Sequence, residues 1–444
     1  MKNIIVFITA IFVFNVGFSQ ENYQFSLEEA VQFAIKNGYA AKNAANDVSA
    51  AKKKVWETTT MGLPQINANI DYQNYLKQPV ALIPAEFFGG NPGEFAEITF
   101  GTKQNLIGSA TLNQLIFDGS YLVGLQSAKT YLKISESAQI KTEISIKVAT
   151  INAYSNVLMA EESLKILSKN KKLLVQNYKE TKALLDNGLI ESQQVEQLQI
   201  TLSTIDIQLN KTKRMRDLAY KMLNFTLGIT IDSPITLTDN FETLLLQNIQ
   251  LDLFTNPFNT ENHIDYQIAF NNKRANELFV KLEKSKALPS ISAFINYKQT
   301  ADNDQFKFFR TEQKWYESSL LGVSVNIPLF SSLKRSAQTQ QAKINLEKAN
   351  RQLEEKSEEL KLVHQKAVSD YQFSIDQYNT SKENLQLAER IEHKETVKFM
   401  EGISTSFDLT NAQNQLYNSQ QNYLQSIFEI ITTKAALETA LNKL

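Results

Sequence analysis

The sequence predicts a mixed α and β membrane protein built from two internal repeats, each with a helix, two strands, a long helix, a turn and a further helix. Three observations support this fold class, and the first is one unusually long helix. The strand-like residues Gly322–Phe330 lead into Leu333–Met400, about 70 residues without Pro or Gly. At 1.5 Å per residue such a helix is about 100 Å long, far beyond the dozen or so residues of an average helix.

The second observation is that the chain repeats this pattern. The strand-like residues Ala110–Phe117 also lead into a long helical stretch, which reaches Asn187. The segments before them correspond as well, because Gly62–Tyr72 and Ala287–Tyr297 share a Leu-Pro start and a similar alternation. Each long helix ends at one glycine and a second helix follows, so a single unit is predicted to occur twice.

The third observation is the alternation within the predicted strands. Apolar and polar residues alternate in Leu63–Tyr72, in the matching segment of the second repeat and in Leu321–Leu329. This pattern is typical of a transmembrane strand around a wet lumen, although a soluble sheet with one buried face gives the same pattern. Three such segments of about ten residues favour the membrane interpretation.

The first repeat begins with a helix. Ser26 and Glu29 form the pattern of a capping box, and the helix that they start is predicted to reach about Thr60. Lys77–Gly108 is rich in Gly and Pro and is predicted to be a long loop, with a shorter counterpart at residues 300–318. Membrane barrels have long outward loops, so both are placed outside the cell. Aromatic residues of the second loop fit either a girdle at the membrane surface or loop packing: Phe306, Phe308, Phe309, Trp315 and Tyr316.

The second long helix carries a coiled-coil seam. Two lines of residues recur every seven positions and are offset by four, which defines an a/d pattern. The first line is Leu353, Leu360 and Ala367, and the second is Tyr371, Tyr378 and Leu385. The seam also includes His364, Ser374 and Ser381. Small and polar seam residues fit helices that border a water-filled channel.

Four predicted strands per chain cannot close a barrel, because about eight strands are the smallest workable number. Open strand edges do not occur in lipid, so several chains must share one barrel. Two chains would give eight strands with an interior filled by side chains, whereas three would give twelve strands and more room for a conduit.

The composition excludes several classes of protein. The chain has 444 residues, a formal net charge of −1 and no cysteine. No global basic field favours nucleic acid, and a thiol nucleophile or a Cys-based metal site is excluded. The three histidines lie in separate predicted elements, and Glu389 with His393, one helical turn apart, fit an exposed ion-paired face better than a metal site. We therefore predict no enzyme, no catalytic residue, no metal site and no cofactor.

The N-terminus is predicted to be a signal peptide, residues 1–19. Lys2 precedes the apolar run Ile4–Val16, and small residues at Gly17 and Ser19 fit a cleavage site before the next residue. No later segment reaches the roughly 18 apolar residues of a transmembrane helix, so the predicted membrane spans are strands. Export combined with strand-type spans indicates the bacterial outer membrane.

The predicted domain organisation follows from the repeats. The first repeat covers residues 20–228 and the second covers residues 263–444. Residues 229–262 form an inter-repeat segment, in which Leu244–Leu246 indicates a short docked helix.

Several short motifs, in this order along the chain, resemble those of the TolC-type outer membrane efflux protein family. They are Ser26–Val31, Leu63–Pro64, Gln114–Gly119, Asn262–Asp265, Leu288–Pro289 and Ile327–Phe330. Each motif is weak alone, but the ordered and duplicated set covers about 420 residues. At Asn262–Asp265 the chain departs from the Arg-Pro-Asp that the family usually has.

The resemblance implies a homotrimer with a twelve-stranded transmembrane β-barrel, four strands per chain, continuous with a long periplasmic α-helical coiled-coil barrel. It implies an exit duct that exports small molecules such as drugs and toxic compounds. Its implied partners are a periplasmic adaptor (membrane fusion) protein, an inner-membrane efflux transporter and outer membrane lipid, and no nucleic acid. Two alternatives stay open: a type I protein-secretion channel, and a surface structural or adhesive coiled-coil protein.

The resemblance also implies site residues. Adaptors of this family dock at the helical hairpin turns, which here are Asn187, Gly188, Leu189 and Ile190, and Glu401, Gly402, Ile403 and Ser404. The family often constricts its periplasmic mouth with carboxylates after the second turn. Asp408 falls on one such position, whereas Asn411 replaces the second carboxylate and Ser404 replaces a common Arg. For Asp408, an acid that favours the N-terminus of its own helix is the alternative.

Overall fold

The computed structural model describes residues 23–443, so the predicted signal peptide lies outside the described residues. The described chain divides into two compact units. The first unit holds residues 23–45, 138–266 and 357–443, and the second holds residues 46–137 and 267–356. The first unit contains the two larger hydrophobic clusters, and the second contains the largest sheet.

The described chain alternates short strands with helices of very different length. The helices are α1 (Leu27–Asn37), α2 (Tyr39–Thr60), α3 (Gly119–Asp186), α4 (Ser192–Leu227), α5 (Phe241–Asn248), α6 (Ile264–Ser285), α7 (Lys334–Met400) and α8 (Ser406–Ala440). The strands are β1 (Tyr23–Phe25), β2 (Gln65–Asn74), β3 (Val80–Pro84), β4 (Phe95–Thr99), β5 (Gln104–Phe117), β6 (Ile235–Leu237), β7 (Ser290–Asn303) and β8 (Tyr316–Asn326). The two predicted long helices are confirmed, with 68 residues in α3 and 67 in α7.

Four strands of the second unit form one antiparallel sheet in the order β2, β5, β7, β8. The two central strands come from different halves of the sequence, and Ala110 lies opposite Tyr297. Among the described residues, β2 and β8 each pair on one side only, so both edges of the sheet are open. The four predicted strands are confirmed, although β5 starts at Gln104 and not at Ala110.

The predicted single helix from Ser26 to Thr60 is wrong, because two helices meet at Gly38. The capping box that starts α1 is confirmed. At Gly38 a Cβ atom would lie 2.5 Å from the carbonyl oxygen of Ala34 and 3.4 Å from that of Thr226. Only glycine avoids these clashes, which explains the residue type at the point where α1 meets the end of α4.

The predicted loop Lys77–Gly108 is wrong in part, because it contains a hairpin. Strands β3 and β4 pair antiparallel, with Val80 opposite Thr99. Each strand has only five residues, which is too short for a periodic pattern to stand out among Gly and Pro. The second predicted loop is shorter than expected, since β7 runs to Asn303 and β8 starts at Tyr316.

Two further differences concern β8 and the loop before it. The predicted strand Leu321–Leu329 ends early, at Asn326, because Pro328 has no amide to donate to a ladder. In the loop, Phe308 is buried in a small cluster with Leu106, so loop packing accounts for this aromatic residue. The other four aromatic residues stay exposed: Phe306, Phe309, Trp315 and Tyr316.

Two buried tyrosines hold short elements against the core of the first unit. The Tyr154 hydroxyl lies 2.9 Å from both the carbonyl oxygen of Phe25 and Oδ2 of Asp239. This contact fixes the parallel pair of β1 and β6 beside α3. The Tyr371 hydroxyl donates to the carbonyl oxygen of Asn248 at 2.7 Å and accepts from the amide of Gln250 at 2.8 Å. That contact fixes the end of α5, the predicted short helix, which is confirmed.

The predicted seam of α7 is confirmed in part, as a buried line within the first unit, whereas its outer members Leu353 and Leu385 are only half-buried. Leu360, Ala367, Tyr371 and Tyr378 are all buried, and so is the polar seam residue Ser374. The Ser374 hydroxyl lies 2.9 Å from that of Thr433 on α8, which satisfies both hydroxyl groups. The seam therefore joins α7 to α8 through alternating apolar and hydroxyl contacts.

Candidate functional site

One face of the four-stranded sheet is apolar and open to the surroundings. A single row across all four strands consists of Ile66, Leu112, Ile295 and Leu321. The exposed fractions of Ile66, Ile295 and Leu321 are 72%, 49% and 72%. Scattered exposed apolar residues are normal, but a continuous exposed row marks an interaction surface. The predicted alternation therefore leaves an apolar face that is exposed along this row, whereas Phe308, Phe309 and Trp315 of the loop between β7 and β8 lie against another part of it.

The opposite face of the sheet is polar. The neighbouring row contains Asn67, Thr111, Asn296 and Leu320. The Asn296 amide donates to Thr111 Oγ1 at 2.7 Å, which links the two central strands on this face. Asn105 makes a similar contact, with its amide 2.6 Å from the carboxylate of Asp302. One sheet thus separates an apolar surface from a hydrogen-bonded polar one.

The passages from sheet to long helix are fixed by Asp118, which belongs to the predicted motif Gln114–Gly119, and by Arg335, which the sequence reasoning missed. Before α3, the carboxylate of Asp118 accepts from the amides of Ser120 and Tyr121 at 2.6 and 3.1 Å. This is an N-cap, and an Asp beside Gly-Ser is the signal that predicts one. Before α7, the Arg335 guanidinium donates to the carbonyl oxygens of Pro328 and Leu329 at 2.8 and 3.2 Å.

The second passage also has an unusual backbone. Ser332 and Leu333 have φ values of 47° and 64°, in the left-handed region that costs non-glycine residues about 1–2 kcal/mol each. Ser331 Oγ lies 3.1 Å from the Arg335 Nε, next to these residues. The Arg335 contacts therefore hold a strained turn in which the strand direction changes into the helix direction.

The predicted first hairpin turn lies between α3 and α4. Gly188 has a φ of 72°, and its amide donates to the carbonyl oxygen of Leu185 at 2.8 Å. The amide of Leu189 donates to the carbonyl oxygen of Leu184 at 2.9 Å. This pair of bonds is a Schellman motif, which ends a helix at a residue with positive φ. The turn therefore requires glycine for its conformation and not for lack of space.

The second hairpin turn, between α7 and α8, has the same geometry. Gly402 has a φ of 71°, and its amide donates to the carbonyl oxygen of Phe399 at 3.0 Å. The Ile403 amide donates to the carbonyl oxygen of Lys398 at 2.8 Å. Ile403 and its counterpart Leu189 are 78% and 69% exposed. Each turn thus presents one large apolar side chain directly after its glycine.

Asp408 lies in the first turn of α8, where it takes part in a second capping box with Thr405. Its Oδ2 accepts from the Thr405 hydroxyl at 2.6 Å and from the Thr405 amide at 3.2 Å. These hydrogen bonds, the hydroxyl first, hold the pKa of the Asp408 carboxyl below its usual value. The stability that this cap contributes is therefore fully present above the pKa of an Asp in the unfolded chain, about 4. It is lost as the pH falls through the lower pKa that Asp408 has in the folded chain.

Ser404, the last residue of the second hairpin turn, is hydrogen-bonded to the end of α7. The Ser404 hydroxyl donates to Glu395 at 2.8 Å, and Lys398 pairs with the same carboxylate at 2.6 Å. These bonds, with Lys398 first, lower the pKa of the Glu395 carboxyl.

Asn411 is exposed and lies three residues after Asp408 on α8, so the two share a helix face. The structure therefore places both predicted constriction residues on one exposed surface.

Residues 23–443 contain neither a cluster of metal-ligating side chains nor a helix that could span a membrane. No group of three or more His, Asp or Glu side chains in this range is arranged to hold a metal ion. No helix in the same range is long and apolar enough to cross a membrane.

Residues 267–443 match the model of the family described as outer membrane efflux protein. The fold is similar to that of CusC, solved in a study of transmembrane channel formation, with a TM-score of 0.75, 17% identity, and 94% of this chain and 92% of that chain covered. It is similar to the outer membrane protein VceC from Vibrio cholerae, with a TM-score of 0.71, 15% identity and coverages of 94% and 95%. It is also similar to the Campylobacter jejuni CmeC outer membrane channel, with a TM-score of 0.73, 16% identity and coverages of 94% and 85%. No curated protein sequence matches the chain.

These comparisons confirm the resemblance to the TolC-type outer membrane efflux family. The family match covers residues 267–443, about two-fifths of the 444 residues, and the likeness in fold covers 94% of the chain. The predicted mixed α and β fold is confirmed in its coarse form, a mostly helical chain with one main sheet, as in outer membrane channels.

Proposed function

We propose that three copies of this chain form an exit duct, through which small molecules are exported across the periplasm and the bacterial outer membrane. The observation that carries the proposal is the four-stranded sheet, with one exposed apolar face, one polar face and two open edges. Strand edges in lipid must be paired, so the edges require further copies of the chain. The apolar face would contact outer membrane lipid, and the polar face would line the lumen.

The number of copies is argued from the size of the barrel. Two copies would give eight strands, whose interior is filled by side chains. Three copies give twelve strands and a wet interior, which the hydrogen-bonded polar face suits. The long helices would continue the duct as an α-helical coiled-coil barrel. In this proposal the domain organisation is the one predicted from the sequence. Residues 1–19 form a signal peptide, residues 20–228 and 263–444 form the two repeats, and residues 229–262 form the inter-repeat segment.

We assign the two hairpin turns to the docking of a periplasmic adaptor protein, which connects the duct to an inner-membrane efflux transporter. The first turn is Asn187, Gly188, Leu189 and Ile190, and the second is Glu401, Gly402, Ile403 and Ser404. The shared Schellman geometry and the exposed Leu189 and Ile403 support this assignment. An adaptor that covers these side chains would remove apolar surface from water at two equivalent points.

The experiment that tests the duct is the mass of the assembly extracted in detergent from outer membranes. Three chains in one elongated particle are the expected result, because the open edges of β2 and β8 then pair with each other around the barrel. A single chain would contradict the proposal, since four strands cannot close alone. Two chains would contradict the twelve-stranded form.

We assign Asp408 and Asn411 to the periplasmic constriction. In three copies, Asp408 would form a ring of three carboxylates. Asp408→Asn is expected to lower cation selectivity and block by divalent cations in single-channel recordings, because it removes that charge. Thr405→Ala is the matched control, since it removes the cap of α8 and leaves the carboxylate. Equal conductance and block in Asp408→Asn and the wild type would leave Asp408 as a helix cap alone.

A further inference from the structure

A basic groove lies in the second unit, between the first turns of α3 and the middle of α6. It has a volume of about 700 Å³, within the range of ligand sites. Its charged lining residues are Lys129 and Lys133 on α3, and Lys273, Arg274 and Glu277 on α6. Gln126, Thr130 and Asn271 supply neutral polar groups. The groove shares no residue with the two hairpin turns or with the predicted constriction.

The positive charge of the groove is not balanced. Glu277, its only acidic lining residue, is paired with Arg274 at 2.7 Å. Within residues 23–443, the ammonium groups of Lys129, Lys133 and Lys273 form no ion pair. Lys273 is half-buried, where a charge without a partner loses hydration. Three unpaired cations therefore face one cleft.

The excess extends beyond the groove to all helical segments of the second unit. Residues 46–60, 119–137, 267–285 and 334–356 contain 15 Lys and Arg but only eight Asp and Glu. The whole chain has a net charge of −1, so this excess is local. A local field of one sign concentrates counter-ions, and most strongly in a cleft. In the groove, this local excess of positive charge coincides with space for a ligand and with three lysines that line it.

Several cations at one cleft suit a ligand with more than one negative charge. Lysine ammonium groups act as mobile point charges, which accommodate phosphate oxygens in several directions. Lys129 and Lys133 are four residues apart on one helix, where like charges repel each other, and a shared anion removes that repulsion. A monovalent ion such as chloride would relieve only part of it.

We propose that this groove binds a multivalent oxyanion, a phosphate or pyrophosphate group, through Lys129, Lys133 and Lys273. The site lies within one chain, so it does not depend on the number of copies in the duct. The phosphate belongs either to a soluble molecule or to the headgroup of an anionic lipid, and both present the same oxygens.

The test is calorimetric titration of inorganic pyrophosphate into the full-length protein in detergent, at constant ionic strength. The wild type is expected to bind, and the double variant Lys129→Gln, Lys133→Gln to bind at least about tenfold more weakly, as is Lys273→Gln. The double variant Lys52→Gln, Lys53→Gln is the matched control, because these exposed lysines belong to the same basic segments but lie outside the groove. Equal affinity in the groove and control variants would overturn the site.

Two further arms separate the sources of the phosphate. Titration into protein in bilayer discs with phosphatidylglycerol or with phosphatidylcholine tests the headgroup. If the headgroup occupies the site, the wild type binds pyrophosphate more weakly in phosphatidylglycerol discs than in phosphatidylcholine discs. The groove variants then show the same pyrophosphate affinity in both discs. Equal affinity in both discs for the wild type assigns it to a soluble anion. A groove variant that no longer forms the wild-type assembly would overturn the proposal, because the lysines would then bind acidic residues of a second copy.

Discussion

Leu321→Arg is expected to prevent the chain from assembling in a membrane. Leu321 lies in the middle of β8, on the apolar face of the sheet, and is 72% exposed in one chain. In a soluble protein, a substitution at such an exposed position changes stability by less than about 0.5 kcal/mol. On the lipid face of a barrel, an Arg near the midplane costs about 2–4 kcal/mol, and each copy in the assembly repeats that cost.

The neighbouring residue provides the matched control. Leu320 is also exposed, at 58%, but it lies on the polar face in the row of Thr111 and Asn296. Leu320→Arg is therefore expected to assemble as the wild type does. The measurement is urea unfolding of each variant in lipid vesicles, together with the fraction recovered in outer membranes. Equal behaviour of the two variants would contradict the assignment of the faces.

Gly188→Lys and Gly402→Lys are expected to abolish efflux and to leave the assembly in the outer membrane. Both glycines have positive φ, and a Cβ added at either would meet no atom within 4 Å. The cost in folding is therefore confined to the backbone, roughly 1 kcal/mol at each turn. The new ammonium group would stand beside Leu189 or Ile403, on the surface that we assign to the adaptor.

Gly228→Ala is the contrasting variant. Gly228 also has positive φ, but a Cβ there would lie 2.5 Å from the carbonyl oxygen of Asn37. This substitution is expected to lower the yield of the assembly itself. Drug tolerance measured beside the yield of each variant separates the two effects. Wild-type tolerance in Gly188→Lys and Gly402→Lys would contradict docking at the turns.

The sequence was most informative where one period continues over many residues. The length of α7 follows from the absence of Pro and Gly, and its buried seam follows from the seven-residue spacing of Leu360 and Ala367. The alternation in β2, β7 and β8 predicted which side chains share a face of the sheet. Such patterns predict the structure reliably because many residues contribute to each one, so that no single tertiary contact changes the result.

Features that depend on contacts between distant residues were not predicted. The break at Gly38 lies where α1 reaches Thr226 at the end of α4, and a local helix pattern does not contain that approach. The parallel pair of β1 and β6 joins three-residue segments that are too short to show any period. The candidate site has the same limit. Asp408 was found by position, but the bond between Ser404 and Glu395 requires the geometry of the turn.

The order of the strands has a consequence for how the chain folds. Strand β1 pairs with β6, where Tyr23 meets Ile235, and β5 pairs with β7, where Gln104 meets Asn303. Each pairing joins residues that are about 200 positions apart in the sequence, and contacts of such long range form slowly. Until the later strand is in place, one edge of each early strand stays unpaired, and such edges promote aggregation. A factor that shields β5 until β7 arrives would raise the yield of the protein more than one that acts on the finished assembly.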